Sequence, residues 1–318
     1  MTRAVTTDEF RILSLCGGGY LGLYTAQVLA VLEEQVGEPL GRRFDLIAGT
    51  SVGGLLAMAL AFEVPMLRIV ELFRDHGDQV FSSRRLPSGP MTRLIDLTRS
   101  VLGPKYSGQA LRTALEQNFG DHTLADAVHA VVIPAVDVSH SVTKVFKTPH
   151  ARTSTGDEAL RAVDVVLATC AAPAYFPAVP IGDRLYADGG LFAVAPDQVA
   201  LHEVEHFMGV DAARVRMLSV GTATAGYQPA DAVEADSGAV GWLTDGRLIL
   251  TLISVQQQHV HAMMEDRLAA RYLRLDAPWP ADAGLGIDVA TRAAAETLCA
   301  LAKETLAQAD ARRLRAFL

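Results

Sequence analysis

One pattern, repeated before residue 63, limits the folds open to this chain: a short apolar run breaks into glycines, and an apolar helical stretch follows at once. Arg11 to Leu15 (RILSL) is β-like and runs into Gly17-Gly18-Gly19. Leu21, Tyr24, Val28, Val31 and Leu32 then mark one face of a helix from Tyr20 to about Val36. Phe44 to Ala48 forms a second buried run that ends at Gly49-Thr50-Ser51-Val52-Gly53-Gly54, and Leu55 to Phe62 continues as an Ala/Leu-rich helix. Strand, helix, strand, helix at this pitch predicts a βαβ unit and an α/β fold with a parallel sheet.

Half of the 318 residues are hydrophobic and a fifth are charged, enough to bury a substantial core, and we expect one domain over residues 1–318. Phe81 to Lys105 is rich in Pro, Gly, Ser and Arg and is predicted to be a flap or insertion. Its Arg84, Arg85, Arg93 and Arg99 suit lipid headgroups or plain solvent equally. Val128–Val138 and Val142–Phe146 read as strands meeting at Ser139-His140-Ser141. Asp157–Ala171 reads as a helix stopped by Pro173, Pro177 and Pro180, and Val215–Val220 as a strand. The region 243–318 is expected to be largely helical, with a long helix over about Leu243–Leu268, a strand at Arg271–Leu275 and a last helix over about Val289–Phe317.

The formal charge of −8 argues against a nucleic acid polymer as partner, since phosphate backbones select for Lys and Arg. Cys16, Cys170 and Cys299 are widely spaced, without metal-ligand spacing, and read as reduced thiols. Met1 to Phe10 carries no apolar leader, and no apolar run approaches the ~20 residues needed to span a bilayer. The expectation is a cytoplasmic protein without metal or cofactor.

Gly49-Thr50-Ser51-Val52-Gly53 is a G-x-S-x-G between a strand and a helix, the context in which a Ser hydroxyl stands out on a sharp turn. The helix that follows aims its positive dipole end at a developing oxyanion. Gly17, Gly19 and Gly22 match G-x-G-x-x-G, but a dinucleotide site also needs an acidic residue closing the next strand. Ala48-Gly49-Thr50 stands there instead, so the dinucleotide reading fails. Successive glycine N–H groups forming an oxyanion hole, or a purely structural turn, remain open for Gly17, Gly18 and Gly19. Asp188-Gly189-Gly190 places a carboxylate on a tight turn, a candidate base for Ser51.

In this order the three motifs resemble the patatin-like phospholipases. Further matches are Phe146-Lys147-Thr148-Pro149-His150, the run Ala168 to Pro177, and Gly190-Leu191-Phe192-Ala193. The resemblance implies a three-layer α/β/α fold with a mainly parallel central sheet. It also implies a Ser51–Asp188 dyad with Gly17, Gly18 and Gly19 as oxyanion hole, acting on membrane phospholipids at the inner face of the membrane. Three departures stand out: Leu21 occupies a position usually basic, Cys16 one usually Asp or a small residue, and Val194-Ala195 replaces an Asn pair before Pro. The stretch Arg11 to Ala26 further resembles phospholipase effectors of bacterial anti-phage (CBASS) systems, which implies a cyclic di- or trinucleotide activator. Three alternatives stay open: a Ser-Asp-His triad using His259 or His261, a lipid-binding protein silenced by Leu21, and Cys16 as a reactive thiol at a helix N-terminus.

Overall fold

The two glycine-broken runs form the middle of the sheet in the computed structural model, which describes residues 9–81, 103–151, 156–228, 242, 246–280 and 283–318. Strand β1 (Phe10–Leu15) lies parallel between β2 (Leu46–Gly49) and β7 (Val215–Val220), and β8 (Tyr272–Leu275) extends the parallel sheet beyond β7. Beyond β2 comes β3 (Val131–Asp137), then β6 (Arg184–Asp188) and β5 (Val179–Ile181), so the order is β5-β6-β3-β2-β1-β7-β8, with β4 (Val142–Lys147) also paired to β3.

The pairing around β3 decides where chemistry can occur. Val132 pairs with Ala48 of β2 and with Lys147 of β4 (Val142–Lys147), so β2 and β4 occupy opposite edges of β3. Further along, Ala135 pairs with Lys144 of β4 and with Asp188 of β6 (Arg184–Asp188). Strand β6 therefore takes over the edge that β2 has vacated. It runs antiparallel, so its last residue meets the end of β2.

Helices cover both faces. Alternation along β1 sends Leu13 and Leu15 into the larger core and Ile12 into the smaller one. The larger core is filled by α1 (Gly22–Val36), α2 (Val52–Ala61), α3 (Met66–Val80), α4 (Gln109–Phe119), α5 (Ala162–Thr169) and α8 (Arg292–Gln308). The smaller core packs α6 (Asp197–His202) and the C-terminal part of α7 (Arg247–Leu268) on the other face, and α9 (Ala311–Arg315) ends the chain. This is the expected three-layer arrangement with a mostly parallel sheet. Several boundaries differ from expectation. Asp157 is buried and accepts hydrogen bonds from Lys144 Nζ and the Lys147 N–H, so helix α5 begins only at Ala162. The C-terminal helix breaks at Asp310, whose carboxylate accepts from the Arg312 and Arg313 N–H groups and caps a separate turn. The strand β5 (Val179–Ile181), unexpected beside Pro177 and Pro180, pairs with β6 on one side alone, which a Pro tolerates. The expected flap lies outside the described residues over 82–102, Arg84, Arg85, Arg93 and Arg99 included.

Candidate active site

Ser51 follows β2 and opens α2 in a backbone conformation that L residues avoid, with φ 55° and ψ −126°. Such a turn costs about 1–3 kcal/mol and persists only when its surroundings enforce it. Here the Ser51 N–H donates to Thr169 Oγ1 at 2.9 Å, and the Thr169 hydroxyl donates to the Pro134 carbonyl at 2.6 Å. The elbow is thereby tied to β3 and to the end of α5. Gly53 is required by proximity, since a Cβ there would run into the Leu15 carbonyl.

Asp188 ends β6, the strand that shares an edge with β2. The Ser51 hydroxyl donates to Asp188 Oδ2 at 2.6 Å, and the Gly190 N–H donates to Oδ1 at 2.7 Å. The carboxyl is 5% exposed. Burial pushes its pKa up to about 6, against the lowering influence of its bonds from Ser51 and Gly190. It thus stays ionised at neutral pH yet is a better proton acceptor than an ordinary aspartate.

The glycine loop after β1 faces this pair, and all three glycines line the same cavity as Ser51 and Asp188. They are not equivalent. The Gly17 N–H donates to the Val194 carbonyl at 2.9 Å and is thereby committed to the protein, which corrects the expectation that it serves an oxyanion. Gly18 and Gly19 have no acceptor for their N–H groups among the described residues. Gly19 has φ 59°, and a Cβ there would strike the Ile287 carbonyl. The Val194-Ala195 departure is explained by the same contact: Val194 works through its main chain, accepting from Gly17 and donating its N–H to Gln256 Oε1.

Ser51 and Asp188 stand in a cavity of about 470 Å³ whose walls are otherwise largely apolar, with Phe73, Leu115, Phe119, Phe176, Leu252 and Ile287 among them. Exposed apolar side chains from two elements, Leu191 and Leu252, sit at its edge. Neither His259 nor His261 is a partner of Asp188: His259 is exposed on α7, and His261 packs at a tilt against the Tyr272 ring and faces Glu265. Asp188 has the Ser51 hydroxyl and the Gly190 N–H as partners and no imidazole, so the triad reading is set aside. Cys16 is fully buried and burial pushes its thiol up to about 12, which leaves it protonated and unreactive. Leu21 is likewise 0% exposed and belongs to the larger core. Lys147 and His150, from the matched stretch that begins at the end of β4, meet Glu203 and are not among the residues lining the cavity.

Sequence reasoning passed over several contributors. Thr169 lies in the matched run Ala168 to Pro177, and its part in the site comes from contacts with Ser51 and Pro134 far away in sequence. Gln256 and Gln257, on α7, carry no motif. The cavity walls come partly from α3 and α4, and α3 was legible through Met66, Ile69, Val70 and Phe73 at helical spacing.

A family model described as patatin-like phospholipase matches residues 13–201. A cGAMP-activated phospholipase of Pseudomonas aeruginosa is 40% identical over 268 residues, which cover 84% of this chain and 78% of that protein. Proteins of the same name from Vibrio cholerae and Escherichia coli are 33% and 32% identical. Those alignments cover 93% and 95% of this chain and 89% and 90% of the relatives.

Proposed function

The chain belongs to the patatin-like phospholipase family, and we propose that it cleaves acyl esters of membrane phospholipids with Ser51 as nucleophile and Asp188 as base, under cyclic-nucleotide control. It is a hydrolase of the patatin-like phospholipase kind, and acyl ester cleavage is the reaction that a serine nucleophile with a carboxylate base supports. The assignment of steps to residues rests above all on the 2.6 Å hydrogen bond from Ser51 to Asp188 beside an apolar cavity.

Ser51 Oγ attacks the ester carbonyl carbon as its proton passes to Asp188 Oδ2. The carbonyl oxygen becomes an oxyanion, accepting from the Gly18 and Gly19 N–H groups and facing the positive end of α2. Collapse expels the lysolipid alkoxide, which takes the proton from Asp188 and leaves an acyl-Ser51 ester. Water then gives a proton to Asp188 and attacks the acyl carbon, and the second collapse returns that proton to Ser51 and releases a fatty acid. The apolar walls receive the acyl chain, and the exposed Leu191 and Leu252 suit a lipid presented from a bilayer. Among the described residues no helix is long and apolar enough to cross a membrane; we place the encounter with substrate at the cytoplasmic face of the membrane. The names of the three relatives support a cyclic dinucleotide, cGAMP first, as activator.

Phospholipid vesicles incubated with protein, with and without cGAMP and a panel of other cyclic di- and trinucleotides, test the reading by lipid mass spectrometry. Wild type is expected to release fatty acid and lysolipid on activation, and Ser51→Ala to release neither, a loss of several orders of magnitude. Turnover by Ser51→Ala above about a tenth of wild type would remove Ser51 as nucleophile. Equal turnover with and without every nucleotide would remove the regulator.

A further inference from the structure

We infer that the adjacent pair Gln256-Gln257 on α7 is the positioning device of this site, holding the Asp188 turn with one side chain and the glycine loop with the other. This rests on the Ser51–Asp188 reading above and adds to it the groups that fix the base and the oxyanion donors relative to each other.

Gln256 grips the Asp188 turn on both sides. Its Nε2 donates to the Gly190 carbonyl at 3.2 Å, and its Oε1 accepts the Val194 N–H at 3.1 Å. Gly190 is the residue whose N–H holds Asp188 Oδ1, and Val194 is the residue whose carbonyl holds the Gly17 N–H. One amide thus braces the turn that carries the base and, through Val194, the start of the oxyanion loop.

Gln257 works on the other face of that loop. It is 3% exposed, and its Nε2 donates to the Gly17 carbonyl at 3.5 Å, where the Thr222 hydroxyl also donates at 3.5 Å. In a trans peptide the carbonyl of one residue and the N–H of the next point in opposite directions. A Gly17 carbonyl drawn inward therefore turns the Gly18 N–H outward, to the side where the loop lines the cavity. Gln257 is itself locked, because its Oε1 accepts from Arg274 Nη2 at 2.6 Å and from the Thr224 hydroxyl at 3.2 Å. The Arg274 guanidinium is fixed in turn by Asp276 at 2.7 Å and Ser219 at 3.0 Å. The orientation of the Gln257 amide follows: its oxygen must face Arg274, so its NH2 must face Gly17.

Two variants with different expected signatures test this. Gln257→Glu keeps acceptors for Arg274 but sets a carboxylate oxygen against the Gly17 carbonyl. Its kcat on a soluble p-nitrophenyl ester is expected to fall about ten- to a hundred-fold, less than removal of a whole oxyanion donor, with KM, melting temperature and pH profile near wild type. Gln256→Met loosens the Gly190 turn, weakens the N–H bond to Asp188, and is expected to shift the acid limb of kcat/KM upward in pH. Cys170 feels the Asp188 charge, and His76 and Tyr175 line the same cavity; neither variant alters them. Gln257→Met, which removes the acceptor that Arg274 Nη2 finds at 2.6 Å and leaves it Asp276 and Ser219, is the comparison: a lower melting temperature there beside a normal one in Gln257→Glu separates folding from positioning. Wild-type kcat in Gln257→Glu, or the same uniform loss with no shifted limb in both Gln256→Met and Gln257→Glu, would overturn the inference. Wild type and Ser51→Ala run alongside: equal turnover by these two defeats the dyad reading itself, and active wild type with inactive Ser51→Ala leaves any failure with the glutamines.

Discussion

Replacing Asp188 by Asn separates what the carboxylate does for catalysis from what it costs the fold. The ordinary carboxyl value of 3.8 rises to about 6 in the folded protein because the group is buried. At about 1.4 kcal/mol per pH unit, that difference corresponds to roughly 3 kcal/mol. A carboxyl with a raised folded pKa holds its proton more tightly in the folded state than in the unfolded one. The contribution of Asp188 to stability is therefore most favourable below pH 3.8, falls as the pH rises to about 6, and stays reduced above it. Asn imitates the protonated form: its Oδ1 accepts the Gly190 N–H, and its NH2 faces Ser51 Oγ. After a deduction for charge-assisted bonds lost with the carboxylate, the variant is expected to exceed wild type by about 1–3 kcal/mol at pH 8. The gap is expected to close near pH 4, while ester turnover falls by several orders of magnitude at every pH. Denaturant titrations at the two pH values, with p-nitrophenyl ester assays on the same samples, measure both effects. A variant no more stable than wild type at pH 8, or a gap of equal size at pH 4, would refute the claim that ionised Asp188 is held at a cost.

Further outcomes follow from the same geometry. The wild-type kcat/KM is expected to rise with pH through about 6 as Asp188 ionises, read from initial rates on a soluble ester. His259→Ala and His261→Ala are each expected to keep most of that activity, and loss comparable to Ser51→Ala in a folded sample would restore a histidine to the mechanism. Leu21→Arg is expected to destabilise the fold by several kcal/mol (roughly 3–5) rather than strengthen oxyanion binding, visible as a collapse in melting temperature. A stable and more active variant would contradict that.

What the sequence made legible was local. The strand–glycine–helix units depend on residues within a few positions of one another, and both appeared where their pattern put them. Ser51 was readable because an elbow needs its small neighbours close by in sequence, Gly53 above all. Asp188 was readable only in company with the other motifs, because its partnership with Ser51 arises from β6 taking over the edge of β3 that β2 leaves free. No spacing encodes that. The commitment of the Gly17 N–H to Val194 was hidden for the same reason, as were the long-range contacts of Gln256 and Gln257. The late start of α5 had a different cause: Asp157 carries helix-start chemistry in the sequence, but its carboxylate is drawn to Lys144 and the Lys147 N–H instead.

The substitution at Leu21 shows how a departure within a motif is absorbed by the rest of a fold. A basic residue in the glycine loop would place a cation beside the oxyanion donors, but here the position faces the core and takes an apolar side chain. A guanidinium nevertheless lies behind the loop. Arg274, at the end of β8, donates to Cys16 Sγ at 3.5 Å just before the glycines and to Gln257, which holds the Gly17 carbonyl. Its charge is balanced by Asp276, whose other oxygen accepts the Ala223 and Ala277 N–H groups. A buried cation lacking such an anion would cost several kcal/mol (roughly 3–5), so Arg274 and Asp276 stand or fall together. The loop is consequently anchored from the carboxyl ends of β7 and β8 rather than from within its own motif. Leu21 is then a core residue whose absent charge removes no anchor, and the Gly18 and Gly19 N–H groups remain without an acceptor among the described residues.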